Sequence, residues 1–304
     1  MEFRQKIQIL VLISTVFCFS KESIGQQLPF FSQNQDTYNS AAINRDFFKY
    51  NLPTQAGIRY RYQWVQIENA PRTLNAHFSH WNQDYNVSIG GNLIIDQTGP
   101  TSFTGIYSKA AYGIQINRDW MITAGITGGI VQYRVNGDKL HFLEPGELQN
   151  GALTKIFPDV GVGTTVYFDE KYYFGVNIPQ VFGLNLNFRD EQNDFNITRV
   201  RHYYANAGAS LQLYKNSFFE PEVEIRYVQN TPLLISAQIR YSYQEIFWVG
   251  INGTSAGAVG IDSGIMWNTS NSNILKLGYA FTNHFQSYGS SFGSTHEIGL
   301  SMSW

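Results

Sequence analysis

The chain has 304 residues, a formal net charge of -2 and one cysteine, and only 14% of its residues are charged, well below the quarter typical of soluble domains. Mean hydropathy is nonetheless -0.23, which excludes a bundle of membrane-spanning helices, and the near-zero charge points to neither nucleic acid nor a strongly charged partner. Low charge with 19 Tyr, 22 Phe and 27 Gly is the composition of lipid-facing strands, whose apolar residues fall on alternate positions and not in long runs.

Residues 1–25 read as an export signal. Arg4 and Lys6 precede an apolar stretch from Ile7 to Phe19, and Ser23 and Gly25 supply small residues before a cut. Cys18 lies within it, so the exported chain has no thiol for a disulfide or a Cys-based metal site. Residues 26–53 carry Phe30, Phe31, Phe47, Phe48 and Tyr50. This segment is either a filler for a lumen or a periplasmic lead.

From residue 54 to 304 the sequence alternates apolar and polar residues between turn signals. Ile58, Tyr60, Tyr62 and Trp64 oppose Arg59, Arg61 and Gln63; Ile106, Ala110, Tyr112, Ile114 and Ile116 oppose Lys109 and Gln115. Phe219, Val223, Ile225 and Tyr227 oppose Glu220, Glu222, Glu224 and Arg226, while Ile235, Ile239 and Tyr241 oppose Gln238 and Arg240. A period of two places each set on one face of a sheet. A soluble sandwich alternates too, but here the polar faces carry Glu and Arg on so many strands that a lumen is the better reading. The expected fold is all-β: a transmembrane antiparallel barrel of about 14 strands with both termini periplasmic, the strands starting near 54, 71, 84, 101, 119, 159, 171, 199, 217, 233, 244, 256, 271 and 294. Short turns near 117–119, 169–171, 215–217, 243–245 and 268–271 fall on one rim, and longer connections at 136–158, 181–198 and 283–293 on the other. The connection at 136–158 carries Leu140, Phe142, Leu143, Leu148 and Leu153, an apolar group suited to a protein partner or to an inward-folded partial plug.

No catalytic constellation emerges. His77 and His80 are three apart on a strand and face opposite ways, as do the neighbours Asp262 and Ser263, and no nucleophile elbow, zinc-protease or P-loop string occurs. No metal or cofactor is expected. Glu220, Glu222 and Glu224 share a face with Arg226, and with Arg59, Arg61 and Arg240 they read as lumen charges. The sharper alternative is a carboxylate pair or a cation site.

Several strings resemble the PorP/SprF family of type IX secretion membrane proteins. Tyr60-Arg61-Tyr62-Gln63-Trp64 followed by Ala70-Pro71-Arg72-Thr73 is similar to its first hallmark, and Asp96 to Pro100, with Gly99, to its D-x-x-G-P turn. PDVGVG at 158–163, YYFGVNIPQVF at 172–182, HYYANAG at 202–208, LKLGYAF at 275–281 and GSTHEIGLS at 293–301 resemble later blocks in order. Asn69 stands where the family has Gly, and Asn39-Ser40-Ala41-Ala42 lacks the family's proline. The resemblance implies an outer-membrane barrel of type IX secretion and gliding motility, in contact with lipid and other secretion components. It also implies a docking or anchoring role for a secreted adhesin through that partner's C-terminal domain. A transport channel is the alternative, since about 14 strands enclose a water-filled lumen unless something fills it.

Overall fold

A computed structural model describes residues 38–136, 152–190, 193–269, 273–285 and 293–304, and of 184–199 the backbone alone. The export signal expected at 1–25, Phe30, Phe31, and the loop residues Leu140, Phe142, Leu143 and Leu148 lie outside the described residues.

The strands are β1 (Thr54–Tyr62), β2 (Arg72–Asn82), β3 (Val87–Thr98), β4 (Thr101–Gln115), β5 (Trp120–Asn136), β6 (Ala152–Phe168), β7 (Tyr172–Ile178), β8 (Leu184–Asp190), β9 (Asn193–Arg199), β10 (His202–Ala209), β11 (Leu211–Tyr214), β12 (Ser217–Val228), β13 (Leu234–Tyr243), β14 (Phe247–Thr254), β15 (Ala258–Asn268), β16 (Ile274–His284) and β17 (Thr295–Ser303). One helix, α1 (Arg45–Tyr50), precedes them among the described residues. β8 and β9 form a separate hairpin; all others join one antiparallel sheet that closes through β1–β17 and β10–β12. β11 continues β10 along the same partner: the ladder lapses between Gly208↔Glu222 and Leu211↔Phe219, beside Pro221, which has no N–H to give, and shifts register between Gln212 and Tyr214. The wall therefore has fourteen strands.

Alternation sets the two faces. Ile106, Ile126, Ile130, Ile251, Ile261 and Ile298 are more than half exposed on the outside, while Arg59, Arg61, Glu220, Gln238, Arg240 and Asp262 are buried on the inside. An apolar exterior around a polar interior is the inverse of a soluble sandwich. Trp120, Phe168, Tyr172, Tyr214, Phe247, Trp267 and Trp304 ring the exterior at one end, where amphipathic rings favour a membrane–water boundary.

Thr54 and Trp304 exchange backbone hydrogen bonds at 2.9 Å, so both ends of the barrel chain lie on one rim, here the terminal rim. Its turns are tight. Asp169–Glu170 and Gln244–Glu245 take positive φ at both central positions, the geometry that matches strand twist. The distal rim has the longest links, those after β1, β5, β7 and β16, but also short ones at Gly99 (φ +57) between β3 and β4 and at Gly257 (φ +76) between β14 and β15. Most strands start within three residues of expectation. β6 does not: it begins at 152, not near 159. Leu153 is therefore a strand residue facing the lumen, packed toward Val131 and Phe157. Lys155 on the inner face and Pro158 inside the strand disguise the alternation as a loop. The long connection expected at 181–198 contains the β8–β9 hairpin.

The lipid-facing assignment is testable by depth. Ile251→Lys, at the middle of β14, is expected to destabilise folding into lipid vesicles by about 2–4 kcal/mol, and Tyr214→Lys at the terminal rim by about 0–1 kcal/mol. Heat-dependent electrophoretic mobility after refolding reads both.

Candidate functional site

The site is the inside of the barrel. Fourteen strands enclose more space than their own side chains fill, and residues 38–53 occupy the terminal half of it. Asn44 caps α1, its side chain accepting from Asp46 N–H at 3.0 Å, and Asn51 (φ 57) ends it. Six residues do not hold a helix in water; the walls hold this one. Ile43, Phe47 and Phe48 pack on Trp81, Met121, Tyr167 and Tyr173 of β2, β5, β6 and β7. Tyr50 and Leu52 pack on Trp248, Met266 and Ile274 of β14, β15 and β16. The segment thus bridges opposite walls.

Glycines make room for it. A Cβ on Gly125 would lie 2.5 Å from Ser40 O, one on Gly163 2.2 Å from Asn39 Oδ1, and one on Gly175 2.7 Å from Asn39 Nδ2. These three sit on adjacent strands and form a slot for residues 39–41. There Asn39 Nδ2 donates to Thr165 Oγ1 at 2.9 Å, Thr123 Oγ1 to Ala41 O at 2.7 Å, and the Tyr167 hydroxyl accepts from Ile43 N–H at 2.8 Å.

Charges lock the other side. Asp46, 2% exposed, accepts from Lys276 Nζ at 2.5 and 2.6 Å, Ser303 Oγ at 2.5 Å and Gln55 Nε2 at 3.0 Å. Its partners lie on β16, β17 and β1, the strands that close the barrel. Burial pushes its carboxyl pKa up, but the ammonium groups of Lys276 and Lys49 outweigh this and hold it below the usual carboxylate range. Arg45 meets Glu222 at 3.0 Å and Glu220 at 3.7 Å, and Lys49 meets Glu220 at 3.1 Å. Arg45 also bonds the Tyr173 hydroxyl.

Of the lumen charges read from the sequence, Glu220 and Glu222 hold the helix, Glu224 pairs with Arg226 at 3.3 Å, and Arg240 pairs with Asp262 at 2.7 Å. Asp262 also accepts from Trp248 Nε1 at 3.0 Å and Gln238 Nε2 at 2.8 Å. Arg59, Arg61 and Gln63 are buried inward, while Tyr60 is exposed outward. Trp64 departs from the expected alternation: β1 ends at Tyr62, and Trp64 takes φ +54 in the following link. Ala70 and Pro71 are buried just before β2, where Pro71 O accepts from Gln63 N–H at 3.0 Å. Asn69 adopts φ +58, a conformation that Asn tolerates in place of Gly, and its carbonyl accepts from Gly99 N–H at 3.1 Å. Thr73 and Asp96 are neighbours in the β2–β3 register, and Pro100 O accepts from Asn136 N–H. The string residues therefore shape links, turns and the inner wall. Sequence reasoning missed Arg45, Asp46, Lys49, Asp262 and Lys276 as partners. A charged triad interleaved with Phe47 and Phe48 was the available signal.

The model of a family described as type IX secretion system membrane protein PorP/SprF matches residues 23–302. No curated protein matches the chain. Among solved structures, the TodX deltaS2S3 mutant monoaromatic hydrocarbon channel is similar with a TM-score of 0.55 at 9% identity, over 92% of this chain and 95% of that one. The Ralstonia pickettii toluene transporter TbuX gives 0.54 at 9% identity over 90% and 92%, and the CymD monoaromatic hydrocarbon channel 0.52 at 10% over 92% and 94%. At such identities the likeness is one of fold.

Gly163→Val is expected to expel the segment, converting a silent barrel into one with steady single-channel conductance and exposing Arg45 and Lys49 to trypsin, with the heat-dependent mobility shift kept. Asp46→Asn leaves Lys276 buried without its counter-charge and is expected to destabilise the protein by about 3–5 kcal/mol, read from the unfolding midpoint. A carboxyl with a lowered folded pKa contributes anchoring that is complete above its unfolded value of about 3.9 and is lost as pH falls through the folded value. Wild-type barrels are therefore expected to stay silent at pH 5 and to open only in strong acid.

Proposed function

We propose, from the premise that the chain belongs to the PorP/SprF family of type IX secretion system membrane proteins, that it is an outer-membrane receptor that docks and anchors a secreted surface protein. The observation that carries this reading is the bridged lumen. Residues 38–53 are tied to β2, β5, β6 and β7 on one side and to β14, β15 and β16 on the other, with buried ion pairs at Glu220, Glu222 and Lys276. A barrel sealed this firmly is a poor path for solutes and a good rigid cup.

The terminal rim, with its tight turns, faces the periplasm after export through residues 1–25, and the distal rim faces outward. Distal links then supply the docking surface, including the one that carries Leu140, Phe142, Leu143 and Leu148. An adhesin of gliding motility, held through its C-terminal domain, is the partner class this reading favours.

A second reading, a transport channel, draws on one observation. A small pocket lies beside α1, lined among others by Arg59, Arg240, Trp248 and Lys276, and a shift of the helix would lengthen it. Single-channel recording and co-isolation separate the two. Docking predicts a silent wild-type barrel that co-purifies with a large exported protein, and release of that protein into the medium when the barrel gene is deleted. Steady wild-type conductance with no partner would overturn it.

A further inference from the structure

Followed backward from α1, the lumenal segment climbs the wall. Ile43 N–H bonds the hydroxyl of Tyr167, the last residue but one of β6 at the terminal rim. Thr123, near the terminal end of β5, donates to Ala41 O. Asn177 Nδ2 then donates to Tyr38 O at 3.0 Å, and Tyr38 stacks on Tyr204 with ring centroids 6.4 Å apart. Asn177 and Tyr204 lie well inside strands that meet the terminal rim at Tyr172 and Ala209. About 9–11 tilted residues cross a bilayer, so from Ile43 to Tyr38 the chain passes from the terminal rim to mid-barrel. Its course is toward the distal mouth.

The wall ahead of it changes character in order. β4, β5 and β6 run 15, 17 and 17 residues, against 8 to 12 for β12 to β17, and project beyond the lipid. The slot glycines Gly125 and Gly163 are paired neighbours on β5 and β6, and farther along the same two strands Val131 pairs Phe157. Val131 and Phe157 form a lumenal apolar cluster with Phe103, Tyr107, Tyr133 and Leu153. Between the two levels the inner row is polar, with Thr127 on β5 and a buried Asp159 on β6 that accepts from the Tyr107 hydroxyl at 3.0 Å. From slot to cluster is a rise of about 20 Å along the strands.

The sequence ahead of Tyr38 runs in the same order. Ser32-Gln33-Asn34-Gln35-Asp36-Thr37 is polar, and Leu28-Pro29-Phe30-Phe31 before it is apolar. An extended chain from Asn39 in the slot back to Phe31 reaches at most about 26–29 Å, enough for the rise of about 20 Å, whereas a helix of that length covers about 12 Å. We propose that residues 26–37 run extended up the lumenal face of β5 and β6 and seat Leu28, Phe30 and Phe31 on the Val131–Phe157 cluster. The polar run then crosses the Thr127–Asp159 level, and the apolar run covers a surface that would otherwise face water in the mouth. The N-terminus left by a cut after Gly25 opens at the distal mouth. Of the two termini expected in the periplasm, only Trp304 then remains on the terminal rim. This inference does not depend on the docking reading.

The test uses the full exported chain, purified from its own outer membrane in detergent. A photo-crosslinking benzoylphenylalanine replaces Phe157 in one variant and Tyr133 in another, with the lipid-facing Ile251 as control. The expected result is an internal adduct from both lumenal positions, and not from 251, whose peptides map to residues 26–37. A second measurement needs no aromatic replacement. The exported chain has no cysteine, since Cys18 lies in the export signal, so Leu153→Cys gives a single thiol at the cluster. Deletion of residues 26–35 is expected to speed its reaction with a membrane-impermeant maleimide at least tenfold, with the heat-dependent mobility shift kept. Adducts that map to the link at 137–151 or to another exported protein, no adduct from either position, or equal labelling rates with and without 26–35 would each sink the proposal.

Discussion

Inside hydrocarbon a backbone N–H or C=O finds no water, and every strand edge left open there costs several kcal/mol per residue. In this chain β1 pairs β17 over Gln55 to Tyr62, and β10 with its continuation β11 pairs β12, so no wall strand is left with a free side. Everything else in the molecule follows from that closure. The outward row must be apolar, the inward row is freed to be polar, and the interior becomes a space with a fixed perimeter.

That space is too wide for its own side chains. The N-terminal segment solves the packing problem with two kinds of contact, apolar against β2, β5, β6 and β7, and ionic against β12 and β16. Asp46 lies where the two ends of the sheet meet, bonded to Lys276, Ser303 and Gln55. Filling the lumen and closing the wall are thereby coupled through one buried carboxylate. Buried charges are costly alone, and Glu220 and Glu222 are compensated by Arg45 and Lys49 of the segment.

The asymmetry of the rims serves the proposed role. Tight turns with left-handed residues at Asp169, Glu170, Gln244 and Glu245 end the strands close to the lipid on one side. On the other, β4 to β6 project and the β8–β9 hairpin stands apart from the wall.

The sequence alone determined the strand inventory, the closed barrel class, the in-and-out assignment of Arg59, Glu220, Glu222, Glu224 and Arg240, and the sorting of short turns to one rim. Each is local: a two-residue period or a turn dipeptide is written in consecutive residues. It left open whether residues 26–53 fill the lumen, and it misread 152–158 as loop because Lys155 and Pro158 masked the alternation there. Only the tertiary structure decided that residues 38–53 enter the barrel, that Asp46 finds Lys276 and Ser303 across 230 and 257 residues, and that Gly125, Gly163 and Gly175 form one slot. Those facts depend on which distant strands become neighbours across a closed ring, and no local pattern of side chains encodes a distance across a lumen.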